Sequence, residues 1–309
     1  MEPTGQMANP GKIRHLRGNL RWPTAAEKIL AGRAHDVFSH ESGVREGIDP
    51  EAIHDIRVAL RRLQAALRMF AACYPPKRLK RYRLRLRKLL QTLGAERDQD
   101  IMIATLSNHA ESAPAPVRQA MARLVAQRRT AKQQHRARSL RLLDKLQGAD
   151  FAKNLSSFIR GARGFQRANP HAHLAPGLAA IRQRAITAWN DHREQVRGRD
   201  DPEMLHQMRI AVKRLRYTLE LCRFENGYDY QGCLDRLAEM QRVLGDLHDA
   251  DILMQFLAES LPQAPAEAIA GLADIVRKTK QKRQDLAKRF LSMIGDRHLG
   301  PLRPARRPG

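Results

Sequence analysis

The 309 residues include 56 Lys and Arg against 32 Asp and Glu, a formal charge of +24, with 42% hydrophobic and only 5% aromatic side chains. A chain this long can bury a large core, but so strong an excess of one sign repels itself unless a polyanion is at hand; nucleic acid, an anionic lipid surface and a phosphate polymer are the partners to weigh. Cys73, Cys222 and Cys233 form no CxxC pair, which argues against a disulfide framework and a structural zinc site, and no run is apolar enough for a membrane span or a signal peptide. The expected compartment is the cytoplasm, without membrane insertion.

Leu, Ala and Arg dominate, and β-branched residues are few and do not alternate, so the chain reads as all-α. Residues 1–22, with Pro, Gly and scattered charge, read as a flexible basic arm. A helical pattern then runs from Pro23 to Ile48. Asp49-Pro50 starts a second helix, which Tyr74-Pro75-Pro76 ends. A third spans about Lys77 to Asn108, and the Pro114/Pro116 segment separates it from a fourth, Val117 to Gln147. After a short helical piece and the linker GARGFQRANPHAHLAPG, four more helices follow: Leu178 to Arg197, Pro202 to Arg223, Tyr230 to Leu261, and one ending near Gly295. The tail 297–309 is basic and expected to be disordered.

An internal repeat organises this series. DPEAIHDIRVALRRLQAAL from Asp49 aligns without a gap to DPEMLHQMRIAVKRLRYTL from Asp201, and LGAERDQD from Leu93 is echoed by LGDLHDAD from Leu244. Four helices per unit with short connections predict two four-helix bundles related by pseudo-two-fold symmetry, one over residues 23–165 and one over 175–296.

On the first repeated helix, Ile56, Leu60, Leu63, Leu67 and Phe70 share one stripe, the expected core face, and His54, Arg57, Arg61 and Arg68 share another, with Arg62 beside it. In the second copy the cationic stripe is His206, Arg209, Lys213 and Arg216, flanked by Arg214. A solvated face ordinarily alternates acids and bases, because like charges at i,i+4 cost a few tenths of a kcal/mol. Arg57 with Arg61, and Arg209 with Lys213, accept that repulsion at matching positions, which points to an anion placed there. The following helix, KRLKRYRLRLRKLLQTLG, adds Arg81, Arg85 and Lys88 on one flank, with Arg83 and Arg87 elsewhere. Its counterpart LDRLAEMQRVLGDLHD is far less basic, so the first half is expected to carry more of the ligand charge.

The aspartates beside Arg97 and His248 suit orientation of a base or capping of a turn better than catalysis. His54 and His206 have bases, not acids or further histidines, at i+3 and i+7, which disfavours a metal. No GxxxxGK[ST] or GxGxxG loop is present, so no catalytic residue, metal or cofactor is assigned. Nucleic acid remains the rival ligand, since basic helices bind phosphate backbones; the scarcity of aromatic stacking groups and the lack of a zinc-finger, RNP or basic-zipper signature place it second.

The repeated H-x-x-R-V/I-A-x-R/K-R-L block, joined to LG-x-x-x-D-x-D, resembles the CHAD family (conserved histidine α-helical domain) from about Thr24 to Gly295. The resemblance implies two four-helix bundles and binding of inorganic polyphosphate in a basic groove, in some members on polyphosphate granules. With no ExExK signature, the chain looks like a stand-alone member lacking a CYTH triphosphate-tunnel domain. Carried over by motif, the ligand-facing residues are His54, Arg57, Arg61, Arg62 and Arg97, with His206, Arg209, Lys213, Arg214 and Arg216. A histidine near neutrality could gain a proton on binding, so affinity is expected to rise as pH falls from about 7.5 to 6.

Overall fold

A computed structural model of the protein describes residues 13, 16–49, 51–164, 172–196, 200–223, 228–295 and 303–304. Ten α-helices are found among them: α1 Trp22–Ser39, α2 Glu41–Glu46, α3 Glu51–Met69, α4 Pro76–Glu111, α5 Ala115–Gly148, α6 Phe151–Arg160, α7 Leu174–Val196, α8 Pro202–Cys222, α9 Gln231–Ser260 and α10 Ala266–Gly295. The fold is all-α apart from a two-residue antiparallel ladder, Tyr228–Asp229 with Arg303–Pro304, and one isolated bridge between Arg21 and His173.

The helix boundaries follow local chemistry. Asp201 caps α8 by accepting the Met204 N–H at 2.8 Å, and Asp49 accepts the Glu51 N–H at 2.8 Å where α3 begins. The single helix expected over 23–48 is two: α1 stops at Ser39, and α2 closes on Gly47 in the left-handed region at φ 69°. Arg136 fixes that end, donating to the carbonyls of Val44 (3.3 Å) and Arg45 (3.0 Å). A Cβ on Gly47 would lie 2.1 Å from the Arg136 guanidinium, so both the backbone angle and the space require glycine.

The chain divides into two compact units. One comprises residues 1–100 and 131–181, the other 101–130 and 182–309. In the first, α1 packs on α3 and α6, and α2 on α3. The expected flexible arm gives way to order before residue 22: Leu174 and Ala175 donate to the carbonyls of Leu20 and Gly18, and Trp22 is fully buried with its ring 4.5 Å from that of Phe70. Tyr74 and Tyr82 donate their hydroxyls to the carbonyls of Ile159 and Asn154, tying α6 beneath α4.

In the second unit α9 packs on both α8 and α10. Its core includes the far end of the α4–α5 hairpin: Met102, Leu106, Val117, Met121 and Val125 are buried with Leu253, Phe256, Leu257 and Leu272. The division expected at the 165–175 linker therefore differs from the packing, because residues 101–130 belong by their contacts with the second repeat. A repeat in sequence reports descent of a segment, whereas compactness reports which apolar faces bury one another. The linker residues 165–171 and most of the tail fall outside the described residues.

Candidate functional site

In the first unit α3 and α4 run antiparallel around Tyr74-Pro75, and their register is fixed by contacts along the pair. Near the start of α3, Glu51 accepts from Arg97 at 2.9 Å. Two turns on, Arg57 lies across Gly94 so closely that a Cβ there would fall 2.5 Å from its Nη1. The Gly of the LG-x-x-x-D-x-D block is thus a seat for the Arg of the H-x-x-R block. Further along, Arg68 of α3 lines one concavity with Lys80, Arg83 and Arg87 of α4.

His54, Arg57 and Arg61 are half-buried on the same face of α3. Burial is the main cause that holds the His54 imidazole below its ordinary value; Arg97 and Arg61 push the same way, and Glu51 and Asp55 oppose them. Arg62 is 6% exposed and sits in the interior rather than on the stripe's surface.

Arg81, Arg85 and Lys88 are exposed on the other flank of α4. Arg85 lies over the ring of Phe151 of α6, as Arg78 lies over Phe158, and Arg81 lies over Tyr82. The structure does not bring these three beside the α3 stripe. The bases that do adjoin α3 are Lys80, Arg83 and Arg87. Both flanks of α4 are basic, and the helical wheel alone cannot say which one meets α3, because that depends on the hand of the hairpin.

In the second unit His206, Arg209 and Lys213 lie on one face of α8, with His248 of α9 opposite; the His206 and His248 ring centroids are 6.2 Å apart. Burial, then Arg209, His206 and Lys213, lower the His248 pKa, against Asp251. His248 occupies the repeat position of Arg97, so the signal that would have added it to the site was the alignment itself. Arg214 is exposed. Arg216 sits in the interior: it is 5% exposed, pairs with Glu220 at 3.1 Å and donates to Gln241 at 3.0 Å.

The last aspartate of each motif holds the helix that follows. Asp100 pairs with Lys132 of α5 at 2.6 Å, and Asp251 pairs with Arg283 of α10 at 3.0 Å, with Asp200 on the same guanidinium. These carboxylates are therefore spoken for by structure. Among the described residues no group of three or more His, Cys, Asp or Glu side chains could hold a metal ion, and no helix is long and apolar enough to cross a membrane.

Comparison with known proteins adds the family. The CHAD domain matches residues 28–258 and, a second time, 180–305. A crystal structure of the CHAD domain from the plant Ricinus communis superposes with a TM-score of 0.76 at 24% identity, covering 97% of this chain and 100% of that one. PptA from Streptomyces chartreusis superposes with a TM-score of 0.67 at 16% identity, covering 91% of this chain and all of that one. At these identities the two structures speak to the fold alone, and no curated protein sequence matches. The duplicated H-x-x-R and LG-x-x-x-D-x-D blocks, the all-helical architecture and a family match over most of the length together mean that the chain belongs to the CHAD domain family.

Proposed function

We propose that this protein binds inorganic polyphosphate through the His/Arg/Lys faces of its two repeats, and that it does so without catalysing a reaction on the polymer. The observation that carries the reading is the α3 face, where His54, Arg57 and Arg61 stand together and Gly94 is kept bare so that Arg57 can lie against α4. Polyphosphate has one negative charge after another and no bases. It calls for cations in series and no stacking platform, which is what this face and its α8 counterpart offer. Hydrogen bonds to charged partners contribute roughly 1.5–3 kcal/mol each, less where solvent screens them, so several acting in series suffice to hold a flexible chain.

The finer reading goes with it: a tandem pair of four-helix bundles, each offering a basic groove face to the polymer, with polyphosphate granules as the expected location. Arg57→Glu together with Arg209→Glu is expected to weaken polyphosphate binding at least a hundredfold while helicity by circular dichroism stays intact. Retained binding would reduce both stripes to solvated surface. A titration at fixed salt, with long-chain polyphosphate competing against charge-matched duplex DNA, tests the ligand class. The expected order is polyphosphate first, and the reverse would make this a nonspecific nucleic-acid-binding protein. Release of phosphate from the polymer, or turnover of a nucleotide, would contradict the non-enzymatic part of the reading.

A further inference from the structure

Between the C-terminal half of α3 and the N-terminal half of α4 lies a concavity of about 600 Å³. Arg68, Lys80, Arg83 and Arg87 surround it, over an apolar floor that includes Ala72 and Leu79. No carboxylate lines it, and among the described residues no ion pair engages Lys80, Arg83 or Arg87. Pro76 also lines it, so the N-terminal turn of the 36-residue helix α4, which contains no acid, adds the positive end of its dipole. Lys80, Arg83 and Arg87 are spaced i, i+3 and i+7, an arrangement that repels itself in the absence of an anion.

The second repeat does not carry the same cations. Aligned on the two LG motifs, Lys80, Arg83 and Arg87 fall on Gln231, Leu234 and Ala238, and aligned on the two histidines Arg68 falls on Glu220, which is buried against Arg216. The cluster is therefore not inherited from whatever both repeats require. It is a charge concentration particular to the first unit.

We propose that this cradle is a second phosphate-chain subsite, and that it makes affinity rise with the length of the polymer. The proposal rests on the polyphosphate reading and extends it. From His54 to Arg68 the face of α3 runs for about 20 Å at 1.5 Å per residue. A short oligophosphate held at His54, Arg57 and Arg61 ends before the cradle. A long chain continues along the same flank of the α3–α4 pair and places further phosphates among Lys80, Arg83 and Arg87. Each cation so neutralised releases counterions from the polymer, so the added contacts steepen the salt dependence of long-chain binding more than that of short-chain binding.

The test uses the full chain carrying Lys80→Gln, Arg83→Gln and Arg87→Gln, compared with wild type for tripolyphosphate and for long-chain polyphosphate at several salt concentrations. The substituted side chains are exposed or half-exposed, and thermal melting checks that the fold is kept. The expected result is a loss of long-chain affinity about tenfold greater than the loss for tripolyphosphate, with a shallower salt slope for the long chain only. Wild-type affinity and slope for the long chain, or an equal loss for both ligands, overturns the cradle as a length-reading subsite. The Arg57→Glu, Arg209→Glu protein run in parallel separates the two failures: if it still binds long chains, the reading of the histidine stripes falls, whatever the cradle variant does.

Discussion

The position of Arg57 is set as much by Gly94 on the facing helix as by its own. A methyl group at Gly94 would displace the tip of a flexible side chain, which is cheap, while replacing glycine inside a helix contributes roughly 0.5–1 kcal/mol. Gly94→Ala is therefore expected to melt no lower than wild type and yet to bind polyphosphate several-fold more weakly, a separation of stability from binding that titration and calorimetry together would reveal. At Gly245, the repeat equivalent, nothing lies within 4 Å of the added Cβ, so Gly245→Ala should raise stability by about 0.5–1 kcal/mol and leave affinity unchanged. Arg216 gives the opposite lesson. Its periodicity puts it on the cationic stripe, but Glu220 one turn later and Gln241 on α9 hold it inside. Truncation to Ala removes the Arg216 side of this buried ion pair and should cost about 3 kcal/mol by denaturant unfolding, whereas exposed Arg214→Ala should cost well under 1. A sequence places a residue around its own helix. It does not say whether the neighbouring helix supplies a hydrogen-bond partner or open solvent, and that is why the stripe was legible and the burial of Arg216 was not.

At the scale of elements, the helices themselves were written plainly. Pro and Asp-Pro signals mark both ends of α3 and α4, the start of α8 and the end of α9 to within a few residues, and the break between α1 and α2 was missed because it falls at His40, where neither a proline nor a glycine announces it. The function of the short α2 emerges only from its anchor. Arg136 reaches from α5 to its last carbonyls and lies 3.5 Å from Glu96, a carboxylate with no exposed surface. Arg136→Ala removes both connections and leaves Glu96 without that charge partner, so a loss of about 3 kcal/mol is expected, with the α2–α3 connection becoming the fastest-exchanging backbone in hydrogen-exchange measurements. If exchange there does not change, the cap is decoration. The choice between the two basic flanks of α4 belongs to this scale as well: which of them meets α3 is settled by how α6 docks through Phe151 and Phe158, and those contacts span more than 60 residues of sequence.

For the molecule as a whole, proton linkage and ligand linkage meet at the histidines. His54, His248 and His109 all have pKa values below the ordinary 6.5, with burial the largest cause in each and nearby cations adding to it. The unfolded chain therefore binds protons that the folded one resists, so stability is full above about pH 7 and falls as pH drops through 6.5 and below. A polyanion reverses the balance at His54 and His248 by favouring the imidazolium. Affinity should thus increase between about pH 7.5 and 6, and saturating polyphosphate should remove most of the acid-side loss in melting temperature, leaving only the share owed to His109, which faces Lys282. Proton uptake on binding, read by titration in buffers of different ionisation enthalpy, checks the sign directly, and its absence would take the histidines out of recognition.

The end of the α4–α5 hairpin, buried with α9 and α10, bears on how such a chain can be divided. Met102, Leu106, Val117, Met121 and Val125 together represent on the order of 10 kcal/mol of apolar burial, comparable with the whole stability of an ordinary domain. Expressed by itself, the stretch from residue 172 onward lacks the side chains that complete its interior, while the stretch up to residue 164 carries them bare. Each piece alone should be insoluble or molten, and co-expression should restore a helical, cooperatively melting heterodimer: gene duplication here has produced halves that are interdependent rather than autonomous.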